Sequence, residues 1–165
     1  MSPVVRDWLT PTTTVVSLLL VGLVAGIFLA TQLGQVRVQN TLEARDFTLV
    51  KHSFEVALGG VMPVLVIAAG ISIVPLVGLH WSAGALRLAL VLVALVLWVG
   101  VIVVTLVYNA PVNSLAAQWN PNAPPANWEA LRDKWHLGQA IRTPLAIASF
   151  AAVAMVAVLP NVKGR

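Results

Sequence analysis

Four long runs of apolar residues, each almost free of charged side chains, dominate this sequence. They cover approximately residues 13–33, 54–79, 85–108 and 139–159. A helix of about 20 residues crosses the ~30 Å hydrocarbon core of a bilayer, because each residue advances it by ~1.5 Å. The sequence therefore predicts an all-α integral membrane protein, a four-helix bundle.

The composition agrees with a chain that faces lipid. Of the 165 residues, 59% are hydrophobic and 10% are charged, whereas soluble domains carry about 25% charged residues. We predict one transmembrane domain over residues 1–165.

The basic residues exceed the acidic ones by four but are scattered, which excludes a nucleic-acid footprint. The absence of cysteine excludes disulfides, thiolate metal sites and cysteine nucleophiles.

Two long segments connect the spans on one side of the membrane. Residues 34–53 are expected to form an amphipathic helix that continues span one, and residues 109–138 a long, partly helical loop between spans three and four. Within that loop Asn127 can cap a helix whose Trp128 and Trp135 lie on one side. This helix is expected to lie on the membrane and lead into span four.

The orientation follows from the distribution of Lys and Arg. An even number of spans places both termini and the turn between spans two and three on one side of the membrane. That side has a slightly higher density of basic residues, contributed by Arg6, Arg87, Lys163 and Arg165. The positive-inside rule therefore favours cytoplasmic termini.

Polar side chains near the span ends are concentrated on the long-loop side, whereas the opposite side offers His80, Trp81 and Arg87. Ionisable groups at membrane depth are costly unless paired or hydrated, and so they indicate function. We therefore predict one pocket, at the long-loop end. His80 and Trp81 are interpreted as interfacial anchors, and Arg87 as a side chain that reaches the interface.

Three titratable residues on the long-loop side have ligand character. His52 and Glu55 are three residues apart on what should be the first turn of span two, so they share a helical face. With His136 they can form the two-histidine, one-carboxylate arrangement of non-haem iron, or part of a copper site. Alternatively, Glu55 forms a salt bridge with Lys51 or Arg142 while His52 lies among the lipid headgroups.

A polar stripe leads into span four. Arg132, His136, Gln139 and Thr143 fall near one helical face, and Arg142 lies about 80° away from Arg132 at 3.6 residues per turn. An arginine just inside the bilayer can hold a phenolate, an enolate or a carboxylate. Alternatively, Arg142 reaches a lipid phosphate.

The tryptophans of the long loop also allow two interpretations. Trp119, Trp128 and Trp135 can form an aromatic belt at the membrane interface, or one of them can line a substrate pocket.

Several motifs between residues 109 and 150 carry a family resemblance. They are Asn109-Ala-Pro-Val-Asn113, then Trp119, the segment from Trp128 to Trp135, and Arg142-Thr-Pro-Leu. With the order of spans and loops, they make the chain similar to the anthrone-oxygenase-like family of small four-span membrane proteins. The resemblance implies an oxygenase that transfers oxygen from dioxygen to an aromatic polyketide such as an anthrone, giving a quinone.

The family pattern carries over to particular residues. Those implied by the resemblance are Asn113, Trp128, Arg132, Trp135 and Arg142, and His52 is the match for a histidine near span two. Family members often have a histidine four residues after the tryptophan that matches Trp135. This chain has Gln139 there, so either the nearby His136 substitutes or the reaction differs.

Several mechanisms fit these residues. Without a cofactor, His52, His136 or Glu55 is the base that deprotonates an anthrone, and Arg142 and Asn113 stabilise the anion. With a cofactor, an iron or copper centre on His52, Glu55 and His136, or a haem with a histidine ligand, activates dioxygen.

The remaining expectations concern binding. The candidate substrate-binding residues are Asn109, Trp119, Trp128, Arg132, Trp135 and Gln139. The expected partners are the lipid bilayer, a hydrophobic small molecule, dioxygen and, in a homo-oligomer, further copies of the chain. The alternative is a non-enzymatic membrane subunit or scaffold that binds a partner protein or lipid.

Overall fold

The computed structural model of the chain describes residues 3–159, and the side chains of residues 6–159. Its helices are α1 (Pro3–Ala30), a π-helical segment (Thr31–Gln35), α2 (Val36–Gln39), α3 (Ala44–Leu58), α4 (Val61–His80), α5 (Ala85–Val104), a second π-helical segment (Thr105–Asn109), α6 (Ala110–Ala116) and α7 (Trp128–Val158). Residues 3–159 contain no strand, and their one bridge pairs Asn120 with Ala123.

Four continuous helices are long and apolar enough to cross a membrane. They cover Arg6–Gln39, Val61–His80, Ala85–Ala116 and Trp128–Val158. The predicted all-α fold with four candidate spans is therefore confirmed. The first and third helices run through their π-helical segments without a break.

The start of span two differs from the sequence-based prediction. The first helix ends at Gln39, and α3 is a separate helix that stops at Leu58, before span two begins at Val61. Gly59 and Gly60 separate α3 from α4, because glycine stabilises a helix interior poorly. The placement of His52 and Glu55 on the first turn of span two was therefore wrong, since both lie on α3.

The helix that leads into span four begins where the sequence indicated. Helix α7 starts at Trp128 and continues without interruption to Val158, and its Pro144 is accommodated inside the helix. Asn127 precedes the first turn, but its side chain makes no capping hydrogen bond. The long loop is thus reduced to residues 117–127, between α6 and α7.

The four long helices form a ring in which each packs against two neighbours, in the order α1, α4, α5, α7. Inside the ring, apolar side chains such as Phe28, Ile73 and Trp98 are fully buried. Most outward-facing residues are exposed Leu, Val and Ile, which suit contact with lipid. Interhelical hydrogen bonds join the helices, for example from the Ser149 hydroxyl to the Ala94 carbonyl at 2.9 Å.

Helix α7 approaches the second π-helical segment very closely at Gly138. A Cβ atom at this position would lie 2.5 Å from Tyr108 Cβ and 2.6 Å from Asn109 Oδ1. The buried Asn109 amide donates a hydrogen bond to the Trp135 carbonyl at 3.0 Å in the same region. Glycine at residue 138 is therefore required by the space available between these helices.

Candidate functional site

A cavity of about 630 Å³, here called the upper cavity, lies at the long-loop end of the bundle. Side chains from the first helix, α3, α4, α5, α6 and α7 line it. Its walls are largely apolar, with Phe28, Leu58, Met62, Val66 and Ile102 among the lining residues. Its polar lining residues are Thr31, Gln35, Glu55, Thr105, Asn113, Ser114 and Arg142.

The upper cavity communicates with the outside of the bundle. Phe54, Ile67 and Leu106 line it and are also exposed, at 38%, 55% and 63% of their surfaces. These side chains are apolar and lie on or next to candidate membrane spans. The exposed surfaces that these three residues contribute to the cavity wall are therefore apolar.

Both π-helical segments contribute to the upper cavity. Thr31 and Gln35 come from the first segment, and Thr105 and Leu106 from the second. A π-helical turn departs from the regular hydrogen-bond ladder and often occurs at functional sites. Here the two segments lie on opposite helices of the same cavity.

A buried lysine that the sequence analysis treated only as a salt-bridge partner organises the polar end of the cavity. Lys51 is 1% exposed, and its Nζ donates to Glu55 Oε1 at 2.5 Å and to Asn113 Oδ1 at 2.9 Å. The same Nζ lies 4.2 Å from the centre of the Trp135 ring. Burial lowers the pKa of Lys51 to about 8, and the neighbouring Glu55 carboxylate opposes that shift.

Asn113 presents its amide group to the upper cavity in one orientation. Its Oδ1 accepts hydrogen bonds from Lys51 Nζ and, at 2.8 Å, from Trp135 Nε1. Because the oxygen has two donors, the Nδ2 group faces away from them and has no acceptor among residues 3–159. Asn113 lines the cavity, so this amide can donate to a bound molecule.

Arg142 is the cationic side chain that lines the upper cavity. It is 7% exposed, and its Nε and Nη2 donate to Gln139 Oε1 at 2.8 Å and 2.5 Å. Its guanidinium lies 4.2 Å from the centre of the Phe28 ring. Within the described residues no carboxylate lies within 4.0 Å of Arg142, so a contact ion pair does not neutralise its charge.

The structure decides between two alternatives left by the sequence. Glu55 forms its salt bridge with Lys51 rather than with Arg142. The buried Arg142 points into the bundle, where Gln139 holds it, rather than towards a lipid phosphate.

The three predicted metal ligands are not brought together. The ring of His52 contacts the Ala116 carbonyl through Nδ1 at 3.2 Å, and His136 contacts Gln39 Oε1 through Nε2 at 3.0 Å. Neither histidine lines the upper cavity, and Glu55 is bound by Lys51. No group of three His, Cys, Asp or Glu side chains able to hold a metal ion occurs in the described part of the chain.

The physical reason is helix geometry. Consecutive helical residues point about 100° apart, and Trp135 occupies the position on α7 that faces the cavity, which turns the next residue, His136, towards Gln39. On α3, Glu55 faces the cavity while His52 reaches the end of α6. The predicted iron or copper site, and a haem ligated by either histidine in this cavity, do not fit these positions.

The candidate substrate-binding residues divide into two groups. Trp135 lines the upper cavity. Trp119 and Trp128 instead pack against Phe47, with ring centres 6.0 Å and 5.4 Å apart, and Arg132 lies over the Trp128 ring at 5.0 Å. This aromatic cluster joins residues 117–127 and α7 to α3, outside the cavity.

Asn109 and Gln139, two further candidate substrate-binding residues, make their hydrogen bonds to other groups of the protein. The Asn109 amide bonds the α7 main chain, and Gln139 bonds Arg142, the Phe28 carbonyl and the Thr143 hydroxyl. Gln139 therefore influences the cavity through the orientation of Arg142.

At the opposite end of the bundle, two residues differ from the prediction. His80 is 2% exposed and Arg87 is 9% exposed, so neither side chain extends outwards from the bundle as an interfacial anchor would. Arg87 Nη2 donates to the Leu159 carbonyl at 2.6 Å, which directs the guanidinium into the bundle. Trp81 is 70% exposed, as expected for an anchor.

The fold and cavity define a class of protein: a helical protein with four candidate spans, and an internal pocket that combines apolar walls with buried charge. The family model for anthrone oxygenase matches residues 50–152, and the chain belongs to this family. The match covers α3 from residue 50 to most of α7, and therefore includes Lys51, Glu55, Asn113 and Arg142. No curated protein and no solved structure matches the chain.

Proposed function

We propose that this protein is a membrane-embedded oxygenase that uses dioxygen to oxidise a small, hydrophobic, acidic aromatic molecule of the anthrone type in the upper cavity. The observation that carries the proposal is the meeting of a carboxylate, Glu55, with two anion-binding groups, Arg142 and the Asn113 amide, in one apolar cavity. The family membership supports the same reaction class.

The cavity suits such a substrate in size and character. Its volume of about 630 Å³ falls within the ~300–1,000 Å³ of small-molecule sites, which are mostly apolar with a few polar groups. The apolar rings pack against Phe28, Met62 and Val66, and the oxygen substituent points towards Arg142. The substrate enters from lipid past the exposed Phe54 and Leu106.

The first chemical step is removal of a proton. The anthrone carbon between the aromatic rings is acidic because its anion is delocalised onto the carbonyl oxygen. Glu55 is the base, and Lys51 holds its Oε1 atom so that the carboxylate keeps one orientation. Arg142 and Asn113 Nδ2 stabilise the negative oxygen that develops, in a cavity whose walls are largely apolar.

The second step is reaction with dioxygen. The electron-rich carbanion carbon forms a bond to dioxygen, giving a peroxide that takes up one proton. Loss of water from this hydroperoxide then leaves a carbonyl group. Overall, the methylene carbon loses two hydrogens and gains one oxygen atom, while the second oxygen atom leaves as water.

The burial of the charged groups favours this proposal over a scaffold. A scaffold would present its polar groups on the rim, where a partner protein or lipid can contact them. Lys51 and Arg142 are instead 1% and 7% exposed.

Oxygen uptake and quinone formation by detergent-purified protein test the proposal, with anthrone as the probe. Arg142→Gln and Glu55→Gln are each expected to reduce turnover at least 100-fold, because one removes the anion-binding charge and the other the base. Arg45→Gln is the matched control, since Arg45 is exposed and pairs with Asp46 outside the cavity.

Metal analysis and an absorption spectrum of the same preparation decide whether a cofactor takes part. Turnover that persists after chelation of all metal supports the cofactor-free steps above. Full activity in both cavity variants would contradict the proposed site, and folded protein inert towards anthrones would favour the scaffold.

A further inference from the structure

A second cavity, here called the lower cavity, lies at the opposite end of the bundle and has a volume of about 370 Å³. The first turns of α1, the end of α4, the start of α5 and the end of α7 enclose it. The proposed oxidation does not use it. Its charged and titratable lining residues are Arg6, Asp7, His80 and Arg87.

His80 is buried in the wall of the lower cavity. It is 2% exposed, and within residues 3–159 neither Nδ1 nor Nε2 has a hydrogen-bond partner. A histidine ring always carries at least one N–H donor. Buried polar groups are normally satisfied, so an unpartnered imidazole in a cavity wall points to a molecule that occupies the cavity.

Two guanidinium groups from different helices stand in the same wall. Arg6 uses Nη2 to donate to the Leu79 carbonyl at 2.9 Å and to Ser82 Oγ at 2.8 Å. Its Nε and Nη1 donors have no acceptor in the described part of the chain. Arg87 is held in place by its hydrogen bond to the Leu159 carbonyl.

The balance of charge favours an anion. Among the lining residues that the structure describes, Arg6 and Arg87 outnumber the one carboxylate, Asp7, and His80 adds at least one further N–H donor. Thr10 and Thr14 also line the cavity, but their hydroxyl groups donate to main-chain carbonyls of their own helix. The groups able to bind a guest are therefore mainly donors, among them the Nε and Nη1 groups of the Arg6 guanidinium, which suits phosphate oxygens.

We propose that the lower cavity binds a phosphate group, supplied by the headgroup of an anionic phospholipid or by free inorganic phosphate. Its residues lie at the ends of the candidate spans, the depth at which lipid headgroups lie. Basic pockets between membrane helices are known to take such headgroups. The phosphate oxygens accept hydrogen bonds from Arg6 and His80, which joins α1 to α4.

The experiment measures the thermal unfolding midpoint, Tm, of lipid-depleted protein in a neutral detergent. The probes are short-chain phosphatidylglycerol, inorganic phosphate at constant ionic strength, and short-chain phosphatidylcholine as the zwitterionic comparison. Phosphatidylglycerol or phosphate is expected to raise the Tm of the wild-type protein. His80→Leu and Arg6→Gln are expected to raise the half-saturating concentration at least tenfold, while Arg45→Gln leaves it unchanged.

The outcomes separate the two sources. A Tm increase with phosphatidylglycerol alone assigns the site to a lipid headgroup, and an increase with inorganic phosphate as well assigns it to the phosphate ion. No increase with either anion, an equal increase with phosphatidylcholine, or unchanged affinity in both variants would overturn the proposal. If His80→Leu does not fold, two other results test the same proposal. They are the half-saturating concentration of Arg6→Gln and the amount of phospholipid phosphorus that copurifies with each variant.

Discussion

The Gln139 side-chain oxygen accepts two hydrogen bonds from the Arg142 guanidinium, at 2.8 Å from Nε and 2.5 Å from Nη2. This acceptor is neutral, so it orients the arginine without cancelling its charge. Gln139 in turn donates to the Phe28 carbonyl at 2.8 Å, which fixes the amide. Family members often have a histidine where this chain has Gln139. Gln139 is thus the residue that positions Arg142, the predicted anion-binding group.

Changing Gln139 is expected to alter anion binding through Arg142. Gln139→Glu places a carboxylate against the guanidinium, and we expect the affinity for an anionic aromatic ligand to fall at least tenfold because the charge is neutralised. Gln139→Leu leaves Arg142 donors without an acceptor and should lower the free energy of unfolding by about 1–3 kcal/mol. Ligand titration and chemical unfolding measure these effects. Gln118→Leu, at an exposed residue, is the control, and undiminished affinity in Gln139→Glu would contradict the role of the charge.

Lys51 is expected to make stability depend on alkaline pH. Its pKa is about 8 in the folded protein and 10.5 when unperturbed, so between these values the unfolded chain binds more protons and stability rises with pH. The increase is at most about 3–4 kcal/mol, at ~1.4 kcal/mol per pKa unit, and it is absent below pH 8, where both states are protonated.

Unfolding curves from pH 7 to pH 10.5 measure this term. The double variant Lys51→Met/Glu55→Gln removes both charges and should lose the increase, whereas the exposed Lys134→Met should retain it. The free energy of unfolding of the double variant is subtracted from that of the wild-type protein at each pH. If the difference falls between pH 7 and pH 10.5, the Lys51 amine is not buried as described.

Filling the upper cavity is expected to block substrate without unfolding the protein. Ser114 lines the cavity and Leu115, its neighbour on α6, does not. Ser114→Phe should raise the KM for an anthrone at least tenfold, because the ring occupies the space of the substrate. Leu115→Phe adds an aromatic ring to an exposed position and should leave the KM unchanged. Equal KM values for the two variants would place substrate binding elsewhere.

Gly138→Ala is expected to separate α7 from the second π-helical segment. The added methyl group would lie 2.5 Å from Tyr108 Cβ, and overpacking of this kind costs about 1–3 kcal/mol of stability. Gly26→Ala is the control, since a Cβ there meets no atom within 4 Å, and it should stabilise α1 by about 0.5–1 kcal/mol. Chemical unfolding in detergent compares the two, and a neutral Gly138→Ala would indicate that the helices lie further apart.

The orientation in the membrane stays a prediction from the basic residues. Reporter tags after residue 165 and near residue 122 should lie on opposite sides of the membrane, with the C-terminal tag in the cytoplasm. Tags on the same side would refute the four-span topology. Opposite but reversed tags would keep the four spans and reject the cytoplasmic termini.

The sequence by itself determined the four candidate spans and part of the upper cavity. Long uncharged apolar runs identify spans because the length of a membrane helix is set by the thickness of the bilayer. Motif residues identified three side chains that line the cavity, Asn113, Trp135 and Arg142. Glu55 was also found, but on the wrong helix, because Gly59 and Gly60 interrupt a run that is apolar on both sides of them.

Only the tertiary structure decided which titratable side chains meet. The spans are apolar around their whole circumference, since lipid covers the outward faces, so hydrophobic periodicity does not indicate which face turns inward. Packing of α3 and α7 buries Lys51 beside Glu55, and it turns His52 and His136 towards Ala116 and Gln39. At the opposite end it buries His80, which its position at the end of a span had suggested to be an interfacial residue. The two histidine contacts join residues far apart in the chain, and they form only when the rotation of each helix about its axis is set by its neighbours.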